Sequence, residues 1–408
     1  MSSKPSLTSS TQMGNKEFIA LMAVIMSLMA MAIDSMLPAL AIMGESLNVQ
    51  NTNDTQFIII SIFLGMSMGL MLYGPFSDAF GRKKAVYLGI SIFVVGDLIS
   101  LFASDFSWMI IGRLLQGFGG AACRVMSITM IRDKFSGKEM ARVMSLIMVI
   151  FIMVSALAPS FGQVILFFAP WQAIFVWLLI FALIGVTWLA LRQEETLPQD
   201  KRIAFNFHNV WAGIKETLLH PSARPYTFAS GIMFGALVGY ISSAQQILQV
   251  QYQLGDLFTV YFGVLALAFG MSSYANSRLV MIISMESLCK IALLIIALSS
   301  LGFYFYAQSL NEQPPIMNLM VYLTITLFSF GVLFGNFNTL AVQSLGHIAG
   351  VANSVISTVS NLVSVSIGAV IGLSYDGTIM PIIVGFGGCG LVTLLIVYRV
   401  PKSAPITA

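Results

Sequence analysis

Apolar residues in this chain come in long unbroken runs, not at the short periods of a soluble core. The runs fall at 18–43, 56–76, 85–104, 107–132, 141–168, 170–191, 225–249, 257–275, 287–307, 317–341, 350–374 and 379–399. Each is close to the roughly 20 residues that a helix needs to cross a bilayer. The pattern predicts an all-α integral membrane protein of twelve transmembrane helices. The first run is too long for the apolar stretch of a signal peptide and has no cleavage site, so it is read as a retained span. One polar stretch is longer than the rest and divides the spans six and six. The expected organisation is a tail at 1–17, a six-helix bundle at 18–191, a loop at 192–224, a second bundle at 225–399 and a tail at 400–408. Within the loop, Asn209–Leu219 puts Trp211, Ile214 and Leu218 on one helical face, as an amphipathic helix on a membrane surface does. A flexible tether is the plainer reading of this loop.

Charge adds orientation. Of 20 Lys and Arg, only Arg113 and Arg124 lie deep in an apolar run; the others fall in alternate loops, at the inner end of a span, or in the tails. The basic loops hold Arg82, Lys83 and Lys84; Arg132, Lys134, Lys138 and Arg142; Arg192 to Arg224; and Arg278. The intervening loops carry Glu45, Asp54, Asp105, Asp256, Glu312 and Asp376 and no Lys or Arg. Short basic loops stay in the cytoplasm, which sets both termini inside.

Composition agrees: 9% of residues are charged, 57% are hydrophobic and mean hydropathy is +0.88, too little charge for a water-facing surface. The net charge of +3 follows the loops and is no nucleic-acid footprint. Cys123, Cys289 and Cys389 are isolated, which suits neither disulfide nor zinc. No cofactor is expected.

The loop after the second run reads Gly74-Pro75-Phe76-Ser77-Asp78-Ala79-Phe80-Gly81-Arg82-Lys83-Lys84-Ala85. Gly74 and Gly81 permit close helix approach and a tight turn. Asp78 can pair with Arg82 and face a helix N-terminus. This string resembles the major facilitator signature G-x-x-x-D-x-x-G-R-[KR]-[KR]. The resemblance implies two pseudo-symmetric six-helix bundles. It also implies a conformational latch of Gly74, Asp78, Gly81, Arg82, Arg132 and Asp133 that closes the halves on the cytoplasmic side.

Ionisable groups at bilayer depth are costly and usually functional. Four qualify: Asp34, Asp97, Arg113 and Arg124. Asp34 lies roughly 14 Å and Arg113 roughly 9 Å from the outer ends of their helices at the helical rise, and Arg124 about 16 Å deeper than Arg113. Similar depth favours an Asp34–Arg113 pair or near-pair, either a proton-exchanging site or a static brace. Asp97 is either a second titrating site or a group that meets outside water, with outside water preferred.

Further strings narrow the family. Gly112-Arg113-Leu114-Leu115-Gln116-Gly117 resembles the R-x-x-Q-G motif of twelve-span drug:proton antiporters. Ala158-Pro159-Ser160-Phe161-Gly162-Gln163 resembles a degenerate antiporter motif. Asp34 followed by Met36-Leu37-Pro38-Ala39, the Ala275–Val280 string and His347–Ser354 resemble the Bcr/CflA (bicyclomycin/chloramphenicol resistance) branch. Arg124 departs from it. Pro38, Pro159 and Gly162 are candidate helix hinges. Candidate substrate contacts are Asp34, Arg113, Gln116, Arg124, Tyr240, Gln245, Asn336, Asn338 and Asn361, although a buried amide can also simply bridge helices.

The resemblance implies a monomeric exporter whose partners are a small amphipathic substrate, protons and lipid. Export of one dedicated metabolite, a siderophore or amino-acid derivative, is the alternative. An enzyme is not expected, because His208, His220 and His347 form no cluster; ATP-driven pumping by this chain alone is not expected either, because no phosphate-binding G-x-x-x-x-G-K-[ST] loop is present.

Overall fold

A computed structural model describes residues 13–202, 207–343, 345 and 348–400. Most of both tails, and His347, lie outside them. Among the described residues twelve helices are long and apolar enough to cross a membrane, and no strand occurs. They are α1 (Asn15–Ser46), α2 (Thr52–Phe80), α3 (Arg82–Leu101), α4 (Phe106–Lys134), α5 (Gly137–Phe168), α6 (Gln172–Arg192), α7 (Ala223–Gln251), α8 (Gly255–Leu279), α9 (Met285–Ser309), α10 (Ile316–Gln343), α11 (Gly350–Leu373) and α12 (Met380–Tyr398). Apolar spans take this form because lipid offers no partner for backbone N–H and C=O groups, and a helix satisfies them internally.

The helices form two bundles of the same design. In the first, α1 packs on α4, α5 and α6; α4 also packs on α2 and α3; and α3 packs on α6. Six helices on, α7 packs on α10, α11 and α12; α10 on α8 and α9; and α9 on α12. Two seams join the bundles, α2 against α11 and α5 against α8, and this same relation exchanges them.

α4 is the mast of the first bundle, and its small residues make it so. A Cβ at Gly117 would sit 1.9 Å from the Ile62 carbonyl oxygen of α2, and one at Gly112 would sit 2.2 Å from Ser100 Oγ of α3. One at Gly120 would meet Met29 of α1 at 2.0 Å. Only glycine allows backbones to approach this closely. Asp105 caps the N-terminus of α4, accepting from the Ser107 and Trp108 amides at 2.9 and 3.2 Å.

α1 and α7, the first helix of each bundle, both lose regular geometry in their last third. In α1 the helix Asn15–Asp34 stops and a 3-10 turn, Leu37–Ala39, follows before helix resumes at Leu40. Pro38 has no N–H to donate and cannot continue the ladder. Gly162 of α5 packs directly on this break, where a Cβ would lie 2.0 Å from the Ser35 carbonyl oxygen. In α7 the α-helix ends at Ala244 and a π-helical segment, Gln245–Gln251, completes the span.

The connection between bundles is not a free tether. Its first part is fixed to the first bundle: Glu195 accepts from the backbone N–H groups of Arg82 and Lys83 at 2.9 and 3.1 Å. Its helix, Phe207–Leu219, packs on α11, with Gly213 against Val351. Gly213 and Thr217 are its buried positions, while Trp211 stays exposed. The face turned to α11 is thus the small one, Gly213 and Thr217, while Ile214 and Leu218 are half-buried.

Candidate functional site

Between the bundles lies a cavity of about 200 Å³. Its wall is largely apolar, built from methionines of α1, α2 and α5 and aromatic rings of α2, α5, α7, α8 and α10. Two charged side chains line it, Asp34 and Arg124. A larger vestibule of about 480 Å³ opens from the basic face. Arg124, Phe234 and Phe334 line both spaces and mark the neck between them.

Asp34 is the last residue of the continuous part of α1 and is buried, with only 5% of its surface exposed. Ser155 of α5 donates its hydroxyl to the Asp34 carboxylate. No ion pair joins Asp34 to Arg113. Arg113 is fully buried and donates elsewhere: Nε to the Ile58 carbonyl at 3.1 Å, Nη2 to the Ala32 carbonyl at 2.8 Å and Nη1 to Gln116 Oε1 at 2.9 Å. Gln116 then donates to Asp97 Oδ1 at 2.6 Å. The expected pair is thus replaced by a chain that runs from Ala32, two residues before Asp34, through Arg113 and Gln116 to Asp97. Depth was matched, but the packing of Gly112 on α3 and Gly117 on α2 fixes which way Arg113 points. Asp97 is wholly buried between α3 and α4 and does not meet outside water; its Oδ2 has no hydrogen-bond partner.

Arg124 differs from Arg113 in one respect that matters. It has no hydrogen-bond or ion-pair partner among the described residues and projects toward open space. Tyr240 lines the cavity, stacks on Phe262 at 6.4 Å between ring centroids, and has a buried hydroxyl without a partner.

The remaining candidates sort by partner. Asn338 and Asn361 line the vestibule. Gln116, Gln245 and Asn336 line neither space. Gln245 donates to Gln249 at 3.1 Å, and Asn336 exchanges hydrogen bonds with Asn276 of α8 at 3.1 and 2.9 Å. Asn336 thus bridges two helices, as buried amides in lipid surroundings do, while the Gln245 bond stays within α7.

At the basic face Arg82 bonds Asp78 and reaches Asp133 at 3.1 Å. Gly81, at φ +103°, makes the turn from α2 into α3. All these groups belong to the first bundle, and Arg132 faces the vestibule. Gly74 approaches α11, where a Cβ would lie 3.0 Å from Ser354 Oγ.

The opposite face holds a group that the sequence did not single out. Gln56 of α2 donates to Gln246 Oε1 at 2.6 Å and to the Gly372 carbonyl at 2.8 Å. Gln246 donates back to the Thr52 carbonyl at 3.1 Å, and Asn53 to the Tyr375 carbonyl at 2.7 Å. Gln163 of α5 donates to Asp256 at the start of α8 at 2.9 Å. Every described hydrogen bond between the bundles is at this face, which is closed, while the basic face is open. Paired glutamines at the end of an apolar run were a usable signal, but Gln245 drew it and its neighbour Gln246 does the bridging.

Twelve helices in two matched bundles, with one cavity between them open to one face, define a membrane transporter. The family model of the Major Facilitator Superfamily matches residues 20–369. The chain belongs to that family, and is accordingly a transporter and not an enzyme. It is 28% identical to a bicyclomycin resistance protein homolog of Haemophilus influenzae, over 93% of this chain and 95% of that one. It is 23% identical to multidrug resistance protein D of Escherichia coli, over 85% and 86%. These relatives agree with the branch to which the motifs pointed. The crystal structure of the human organic anion transporter MFSD10 superposes with a TM-score of 0.69 at 16% identity, over 94% of this chain and 99% of that one, and so shares the fold.

Proposed function

We propose that this chain is a proton-coupled exporter of small amphipathic compounds in a bacterial cytoplasmic membrane, with the basic face and both termini inside. One observation carries the reading: a carboxylate, Asp34, stands in the apolar wall of the cavity between the bundles, at the break in α1. A charge there is expensive unless it is paired or neutralised. Asp34 therefore has two favourable conditions, holding a proton or facing a cationic substrate group. Exchange of one for the other is antiport. The vestibule admits substrate from the cytoplasm; reopening of the Gln56–Gln246 side releases it outward.

Within this reading Arg113, Gln116 and Asp97 are positioning residues. By holding the Ala32 carbonyl, Arg113 fixes the end of the helix that presents Asp34. The Gly74, Asp78, Gly81, Arg82, Arg132 and Asp133 cluster serves as the inner latch once the vestibule shuts. Pro38, Pro159 and Gly162 absorb the bend; Gly162 meets Pro38 and Ser35 at the contact between α1 and α5. The drug class is supported by the names of the relatives. Arg124 favours a second reading, export of one anionic metabolite.

The test is proton release from everted vesicles energised to an acid interior, on adding chloramphenicol, bicyclomycin, cationic dyes or siderophores, with wild type beside Asp34→Asn. A drug-dependent signal that Asp34→Asn abolishes is expected. A signal from a siderophore alone would move the chain to metabolite export. A drug signal that survives Asp34→Asn would sink the coupling assignment and turn attention to Asp97.

A further inference from the structure

A guanidinium left without a partner at membrane depth calls for an explanation, because ionisable groups there pair with one another or with carbonyls. Arg113 obeys that rule with three partners, eleven residues away on the same helix. Arg124 does not. The close packing of this part of its helix is carried by small residues: Gly120 meets Met29 of α1, Ala121 meets Gly69 of α2, and Ala122 meets Gly89 of α3. Arg124 lies one turn beyond Gly120 and reaches the neck between vestibule and cavity.

The cavity beyond holds a second unused group, the Tyr240 hydroxyl, which can donate. Across the same space stands Asp34, whose described partner is a single serine hydroxyl. The wall between is apolar and aromatic. Guanidinium and carboxylate thus face one apolar chamber without touching.

We infer that the preferred substrate class is amphoteric: an apolar, aromatic body with an anionic group held by Arg124 and a cationic group at Asp34. This rests on the cavity being the substrate site. Each pole of such a molecule meets its opposite, so neither protein charge stays bare when the chamber is filled. A purely cationic compound would face Arg124 unscreened, and a purely anionic one would face Asp34. Charge-assisted hydrogen bonds to an oxyanion are about twice as strong as neutral ones. A planar guanidinium binds a carboxylate through two of them at once. An entering molecule meets Arg124 before it meets Asp34, which gives Arg124 the first selection.

The test uses a matched pair of probes, the amphoteric fluoroquinolone norfloxacin and its methyl ester, which keeps the amine and loses the carboxylate. Binding of each to the purified full-length protein is measured by calorimetry for wild type, Arg124→Gln and Arg124→Lys. Wild type should bind norfloxacin about tenfold or more tightly than the ester, as one charge-assisted contact supplies. Arg124→Gln should erase that preference while leaving ester affinity equal or improved, and Arg124→Lys should keep part of it. Equal binding of the two probes by wild type, no binding of either, or an Arg124→Gln variant that weakens both alike would overturn the inference. Proton release in proteoliposomes with the same probes judges the export reading separately. A binding preference without proton movement would defeat proton coupling and leave the recognition intact. Proton movement with the ester and no preference would do the reverse.

Discussion

The two bundles pair their helices alike, yet they divide the chemistry unequally. α1 to α6 hold Asp34, Asp97, Arg113 and Arg124 at depth; α7 to α12 hold no charged residue away from their ends, only amides such as Gln246, Asn276 and Asn336. At α4 a guanidinium bridges to α1, α2 and, through Gln116, α3. At α10, its counterpart, a reciprocal amide pair bridges to α8. The helix pairing is therefore independent of the buried charges. It comes from length, apolarity and glycine contacts, which both bundles share. The charges are an addition to one bundle, and the other supplies an apolar wall and the amide closure.

Substitutions can break or sharpen this comparison. The largest effect is expected from backbone contact. Gly117→Leu would drive a side chain into the Ile62 carbonyl and should abolish recovery of folded, monodisperse protein. Gly388 of α12 has nothing within 4 Å of a notional Cβ, so Gly388→Ala should raise stability by about 0.5 kcal/mol, since glycine is the poorer helix residue. Thermal unfolding in detergent checks both. Next come the bridges. Arg113→Met leaves the Ala32 and Ile58 carbonyls and Asp97 without compensation and should cost about 3–5 kcal/mol, as removal of one partner of a buried charged network does. Asn336→Leu removes neutral hydrogen bonds and should cost about 1 kcal/mol. Equal losses would refute the idea that one bundle carries the expensive chemistry.

A smaller effect is expected at the outer closure. Gln56→Leu should favour the outward-open state by about 1.4 kcal/mol, the scale of one or two neutral hydrogen bonds, or tenfold in population. Labelling of Tyr240→Cys in a Cys389→Ser background by an impermeant maleimide from outside reads this, because the other native cysteines, Cys123 and Cys289, are buried while Cys389 is only half-buried. No change in labelling would mean that the amide knot is not the gate. The smallest effect belongs to Glu195→Ala. Loss of a helix-capping carboxylate should cost about 1 kcal/mol of stability and leave transport rates near wild type.

Much of this arrangement was legible in the chain. Apolar runs of membrane length gave the spans to within a few residues. Alternating loop charge gave a sidedness, and Gly74 to Ala85 gave the family. Asp34 stood out because a carboxylate in such a run needs a reason. What stayed hidden was azimuth. Helical rise places Asp34 and Arg113 at one depth but says nothing of which way either points, and the glycines around Arg113 turn it from Asp34 toward backbone carbonyls. Asp97 likewise reads as near outer water by depth, yet its face of α3 lies against α4. The linker helix shows the same limit: its apolar stripe stood out in sequence, yet the face that packs on α11 is Gly213 and Thr217.

The outer closure has one more consequence. Gln56, Gln246 and Asn53 are neutral amides bonded to amides and carbonyls, and none gains or loses a proton across the acidity a cell envelope meets. Of the described bonds between the bundles at that face, only Gln163 to Asp256 involves a titratable group, and that one lies at the other seam. Acid outside therefore has little purchase on the door itself. If acidity is to turn the transporter around, it must do so from the chamber, after the door has opened, which keeps the lock and the driving force in separate places.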